Sequence, residues 1–161
     1  MFVLIVNLKL NSMNVNNEIA EITLSYKPAK QKKPSISSAS DALKYFRPFF
    51  SEETISLQEQ FCVMYLNRAN KVIGCQILSK GGITGTVADP RLILATALLA
   101  ACTSIILCHN HPSGNLKPSK NDEELTKKIK YAANFMDIQL LDHLIIASED
   151  EYYSFADEGI I

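Results

Sequence analysis

The chain has no excess of either charge. Sixteen Lys and Arg stand against 17 Asp and Glu in 161 residues, a formal net charge of -1. That balance excludes a general electrostatic attraction to nucleic acid or to an anionic membrane and leaves only a local patch able to supply one. Long apolar runs are missing too. No segment approaches the roughly 20 residues that a membrane span needs, so no membrane partner is expected. The opening MFVLIVNLKL lacks a basic leading region and a small-residue cleavage site, so it does not read as a signal peptide. Met13 is as good a natural start as Met1. There is no C-x-x-C pair. Cys62, Cys75, Cys102 and Cys108 each lie in or beside an apolar run, where cysteine behaves as a small buried hydrophobe, and they read as reduced thiols of a cytoplasmic protein. No internal repeat is visible. What is present, 47% hydrophobic and 20% charged residues, suits one soluble globular domain.

Residues 20–26, AEITLSY, alternate apolar and polar and predict a short strand. KPAKQKKPSISSAS follows, rich in Lys, Pro and Ser, and predicts a linker. Residues 1–36 therefore read as an arm and 37–161 as the folded domain. A lone strand on a flexible arm could pair with a neighbour's sheet edge, which makes a homodimer an expectation to test. Lys27, Lys30, Lys32 and Lys33 could touch phosphate, although a solvated linker is the simpler reading.

Ser38-x-x-Asp41 resembles a capping box and predicts a short helix, SDALKYF, ended by Pro48. FCVMYLN and VIGCQIL, joined by RANK, predict a hairpin. KGGITGTVA predicts a turn into a third strand, since a lone Gly-Gly-x-x-Gly without Lys-Ser/Thr is no nucleotide loop. DPRLILATALLAAC predicts a helix with Asp89 as N-cap and Pro90 at its first position, apolar almost all round and so buried. TSIILC predicts a buried strand running into His109. A helix follows from Ser119, with Leu125, Ile129, Ala132 and Met136 on one face. IQLLDHLIIAS and EYYSF predict the last strands. Helices inserted among strands indicate an α/β sandwich around one mixed sheet.

In an extended segment, His109 and His111 point one way and Asn110 the other. Two imidazoles projecting from a strand end can hold two corners of a divalent metal, and Asp122, on the first turn of the next helix, can fold back as a third. Two histidines, one carboxylate and an open fourth position form the pattern of a catalytic zinc site. Zinc so held lowers the pKa of its bound water to about 7. Another reading stands beside this one. Ser119-x-x-Asp122 before an apolar run is also a capping box, and Asp122 could do nothing more than cap. Burying two such histidines without a metal, however, needs several polar partners.

His109-x-His111, seven residues, Ser119, two residues and Asp122 resemble the motif of the JAMM metallopeptidases, also called JAB or MPN. The fuller string HNHPSG…PS…D, with DPR upstream and LLDHLII and YYSF downstream, resembles the RadC family within that group, from about Phe61 to the C-terminus. The resemblance implies a single JAB/MPN-like, deaminase-like α/β domain whose mixed sheet is flanked by helices. It implies Zn2+ held by His109, His111 and Asp122. Glu59 would be the general base that takes a proton from the metal-activated water and passes it to the leaving amine. Ser119 would donate a hydrogen bond to the oxyanion. Read without the resemblance, Glu59 is a solvated residue at a strand start and Ser119 a helix cap. His143 belongs to the family pattern and either supports the site from behind its ligands or is a satisfied core histidine. Asp142 shares that ambiguity. Pro112, Ser113 and Gly114 shape the turn.

The function so implied is zinc-dependent hydrolysis of amide or isopeptide bonds in a protein or peptide substrate. The alternative is a DNA-associated, DNA repair-type RadC-like protein without peptidase activity. Longer members carry a helix-hairpin-helix module ahead of this domain, which the chain is expected to lack. A metal-holding scaffold without catalysis is a third reading. The literal HNH tripeptide is not the nuclease motif of that name, whose residues spread along a ββα unit. Zinc deaminases need H-x-E with P-C-x-x-C, and neither occurs here.

Overall fold

A computed structural model describes residues 33–82, 87–148 and 151–161. The strand expected at 20–26, the pairing of that strand with a neighbour, and Lys27, Lys30 and Lys32 all lie outside the described residues. Five strands form one mixed sheet: β1 Gln60–Leu66, β2 Val72–Lys80, β3 Ser104–Asn110, β4 Gln139–Ile146 and β5 Tyr152–Ser154, in the order β2-β1-β3-β4-β5. The helices are α1 Ala39–Phe46, α2 Pro90–Leu99 and α3 Lys120–Phe135. β3 and β4 are parallel and every other neighbouring pair is antiparallel. The mixed α/β expectation is met.

β1 and β3 are central and buried at every position. Their unbroken apolar composition follows, because both faces of a central strand meet core. Phe61, Val63, Tyr65, Ile105 and Leu107 face the cluster that includes Ile93 of α2 and Ile129 of α3. Cys62, Met64, Leu66, Ile106 and Cys108 face the opposite cluster, with Ala42, Leu43 and Phe46 of α1. All four cysteines are free thiols. Burial pushes the Cys62 thiol up to about 11 and that of Cys75 up to about 12, so both stay protonated and unreactive at neutral pH.

Several local expectations need correction. The helix expected to be buried all round is only half covered: Ile93 and Ala97 are buried, while Leu92 and Leu98 are 55% and 53% exposed. One layer of sheet can cover only one side of a helix. The stripe of α3 runs through Thr126, Ile129 and Ala133, and Met136 is an exposed C-cap. The first helix does end at Phe46, ahead of Pro48 as expected, and a single 3-10 turn, Arg47–Phe49, follows it, where a missing N–H does no harm. The third strand expected from KGGITGTVA falls on residues 83–86 and so lies outside the described residues. Among the described residues, no helix is long and apolar enough to cross a membrane.

Asn110 organises the approach to β1. Its side chain points to the α1 face and is fully buried. It accepts the Gln60 N–H at 2.7 Å and donates to the carbonyls of Ile55 and Gln58 at 2.6 and 3.0 Å. One amide thus fixes the turn that leads into β1, including Glu59, against the end of β3. Replacing Asn110 by Ala would strand one buried N–H and two carbonyls, each worth about 1–3 kcal/mol when left unpaired. We expect Asn110→Ala to lose about 3 kcal/mol in urea unfolding; a loss under about 1 kcal/mol would mean that water replaces the amide freely.

Candidate metal centre

β3 delivers His109 to the α3 side of the sheet, next to Phe61, its register partner on β1. His111 follows beyond the strand proper, and its N–H is still bonded to the Ile146 carbonyl at 2.9 Å. That bond extends the chain far enough for both imidazoles to emerge on one side, as the alternation predicts. Gly114 then turns the loop back with φ +78, a conformation that suits glycine. Its N–H bonds the His111 carbonyl at 3.0 Å. The turn brings the Asn115 carbonyl onto His111 Nδ1. A carbonyl only accepts, so Nδ1 carries the proton and the lone pair of Nε2 faces the site.

The Nε2 atoms of His109 and His111 lie 3.0 Å apart. Asp122 Oδ1 is 3.3 Å from His109 Nε2, and Oδ2 is 3.6 Å from His111 Nε2. His109 is almost wholly buried, and the side chains of His111 and Asp122 are 16% and 14% exposed. Among the described residues, these three form the one group of its kind able to share an ion, with ligand atoms all within 4.8 Å of one another. Electron-rich nitrogens this close to each other and to a carboxylate need a proton or a cation between them. Two imidazoles and one carboxylate suit zinc and comparable divalent ions.

The cap and ligand readings of Asp122 prove compatible. Oδ2 accepts the Ser119 N–H at 2.7 Å and the Ser119 hydroxyl at 2.6 Å, while Ser119 Oγ accepts the Asp122 N–H at 3.2 Å. The capping box is complete, and Oδ1 is left to face His109. The cap fixes the rotamer that a ligand would need. Burial alone would raise the Asp122 carboxyl, but His109, His111 and Ser119 together hold it well below the usual carboxylate range. Its bond to Asp122 chiefly raises the His111 pKa, against burial, with Asn115 and the Glu59 charge adding to the rise. The Glu59 main chain is held to the start of the 81–82 segment, with Gly81 N–H donating to the Glu59 carbonyl at 2.7 Å and Glu59 N–H reaching Gly82 O at 3.3 Å.

The ambiguity over residues 142 and 143 resolves by face. Between Ile105 and Ile106 the register against β4 slips by one residue, so that Leu140 pairs with Ile105 but Asp142 with Ile106. The irregularity switches the alternation and turns His143 to the side of His109. His143 Nε2 lies 2.8 Å from His109 Nδ1, and His143 Nδ1 lies 2.6 Å from Thr126 Oγ1. Burial holds the His143 pKa well below its ordinary value, so the ring stays neutral. Phe61 stacks on His109 at 5.8 Å and Phe155 on His143 at 4.8 Å between centroids, closing the pair in an apolar wall. Asp142 stays out of the site: it accepts from Ser154 Oγ, His143 N and Ala156 N at 2.7, 2.7 and 3.0 Å and ties the C-terminal turn to β4.

Asn110, Thr126 and Phe155 lay outside the sequence reading of the site. Thr126 was within reach of it, because position i+4 from Asp122 shares its helix face.

A match to the RadC-like JAB domain covers residues 36–160. A UPF0758 protein of Flavobacterium johnsoniae is 50% identical over 125 residues, 78% of this chain and 53% of that protein. UPF0758 proteins of Porphyromonas gingivalis and Streptococcus gordonii are 39% identical over 143 residues and 46% over 101, covering 63% and 44% of their lengths. The fold and site thus define a JAB-type domain with a candidate metal centre. Within that class, the chain belongs to the RadC-like JAB family, and it spans about half the length of the curated relatives it matches.

The His111–Asp122 pair contributes to the pH response of the metal-free protein. A lowered Asp122 pKa gives stability that is present above the ordinary carboxylate range and lost as pH falls through the folded value. A raised His111 pKa gives stability that is present below about 6.5 and lost as pH rises through the folded value. The neutral His143 pulls the other way as pH rises toward about 6.5, so the test is a difference: from about pH 6 to about pH 8 we expect the thermal midpoint of metal-free protein to lose ground relative to that of His111→Gln. An identical pH profile in that variant would show that the pair contributes nothing.

Proposed function

We propose that the chain is a zinc-dependent hydrolase of amide or isopeptide bonds, a JAMM-type metallopeptidase. The observation that carries this reading is the convergence of His109 Nε2, His111 Nε2 and the Asp122 carboxylate within 4.8 Å, on a RadC-like JAB domain. A zinc ion held there supplies Lewis acidity, polarising a carbonyl and acidifying water. The chain's own residues do the rest. Asp122 offsets half of a divalent charge while its cap bonds keep the carboxylate from turning. Glu59 accepts a proton at its carboxylate as water attacks the carbonyl carbon, and returns it to the leaving nitrogen as the C–N bond breaks. Water and amide are consumed, acid and amine released, and Glu59 ends as it began. Ser119 donates to the developing oxyanion. In the resting site its hydroxyl donates to Asp122 Oδ2, so that role requires the hydroxyl to turn while its N–H keeps hold of Asp122. Protein or peptide is the substrate class that this chemistry fits.

Elemental analysis of purified protein should find about one zinc per chain, and little in a His109→Ala, His111→Ala double variant. Glu59→Gln should keep its zinc and lose hydrolysis of fluorogenic amide and isopeptide substrates by at least about 100-fold. Protein without metal after zinc is supplied at neutral pH would end the reading. Undiminished hydrolysis in Glu59→Gln would end the proposed role of that residue alone.

A further inference from the structure

Thr126 and His143 are buried and do not themselves converge on the metal centre, yet the bonds that join them to His109 have a direction. The Asp122 carbonyl can only accept, and it lies 2.5 Å from Thr126 Oγ1. The single hydroxyl proton of Thr126 therefore points back along α3 to that carbonyl, the i-4 bond common to helical threonine. Toward His143 the same oxygen must accept, at 2.6 Å, which puts the His143 proton on Nδ1. A neutral imidazole has one such proton. His143 Nε2 is thus a bare lone pair, and at 2.8 Å it accepts from His109 Nδ1. The proton of His109 is used there, and the lone pair of its Nε2 is left facing His111 and Asp122. Reversing every bond would set the Thr126 oxygen against the Asp122 carbonyl with no proton between them.

We propose that Thr126 and His143 are positioning residues: one directed chain of hydrogen bonds, anchored on the α3 backbone, holds His109 as its Nδ1–H tautomer and leaves Nε2 to ligate a divalent cation. The partner behind a metal-binding histidine is commonly a carboxylate, a carbonyl or a water. Here it is a neutral ring, which orients His109 without adding charge to the site. The chain ends on a helix carbonyl rather than in solvent, so it orients and does not export protons. His111 is set independently by the Asn115 carbonyl. The inference rests on the metal reading, but the tautomer that it assigns exists without the metal.

Thr126→Val removes the hydroxyl and keeps the volume, while Thr126→Ser keeps the hydroxyl. Nitrogen NMR of histidine-labelled, metal-free protein reads which ring nitrogen of His109 is protonated, and chelator competition reads zinc affinity. We expect a protonated Nδ1 in the parent and in Thr126→Ser. In Thr126→Val we expect mixed tautomers and zinc affinity lower by about tenfold, in a protein that gives up some thermal stability through the unpaired His143 ring but is still fully folded at the assay temperature, so the loss cannot be ascribed to unfolding. His143→Gln, whose amide can accept from His109 and donate to Thr126, should keep more zinc affinity than His143→Leu. A His109 protonated on Nε2 in the parent would overturn the proposal, and so would a Thr126→Val protein with parental tautomer and affinity. A parent with the assigned tautomer but no affinity for zinc would overturn the proposed function instead and leave the orienting chain supported.

Discussion

Side chains alternate across a strand, and the end of β3 uses that constraint twice. His109 and, just past the strand, His111 emerge toward α3, while Asn110 between them emerges toward α1. On one side the result is a set of electron-rich atoms with too few protons to separate them. On the other it is an amide that grips the turn entering β1. A shift of one residue at this strand end would exchange the faces. The imidazoles would then enter the apolar cluster of Met64 and Cys108, and the amide would lie where a cation is needed. The rest of the site is arranged around this alternation: the turn at Gly114, the cap on Asp122 and the irregularity that brings in His143.

The polar groups of the site are saturated from behind. Asp122 is held by a capping box, His111 by a loop carbonyl, and His109 by His143 and Thr126. Phe61 and Phe155 close the apolar side, where water would otherwise compete for these bonds. Each side chain facing the centre thus meets it with one atom while its other polar atoms are engaged elsewhere. Such an arrangement costs little reorganisation when a cation arrives, which is the physical content of a preformed site. It also explains how one chain can place a histidine pair in a largely apolar core.

Ser119 and Asp122 show why the cap and ligand readings could not be separated by spacing. The same hydroxyl–carboxylate–amide contacts serve both. The two oxygens of one carboxylate divide the work, and only their directions reveal it. Glu59 is a different case. Nothing about its own spacing distinguishes it from a solvated strand-start residue, and its main chain is placed against the end of β3 because Asn110, 51 positions later in the numbering, holds its neighbours Gln58 and Gln60.

The sequence by itself determined what local physics controls. The apolar runs became β1 and β3, Asp89 with Pro90 began α2, Ser119 began α3, and His109-x-His111 projected both rings to one side. These depend on periods of two and 3.6 residues and on caps that act within a single turn. Tertiary structure decided the rest. Burial of α2 was misjudged from composition because exposure depends on what covers a helix. His143 could not be assigned because its face depends on a register slip between β3 and β4, and that slip is a property of two strands rather than of either one. The direction of the bonds behind His109 emerged last, since it needs three elements in place before a single hydroxyl proton can choose its partner.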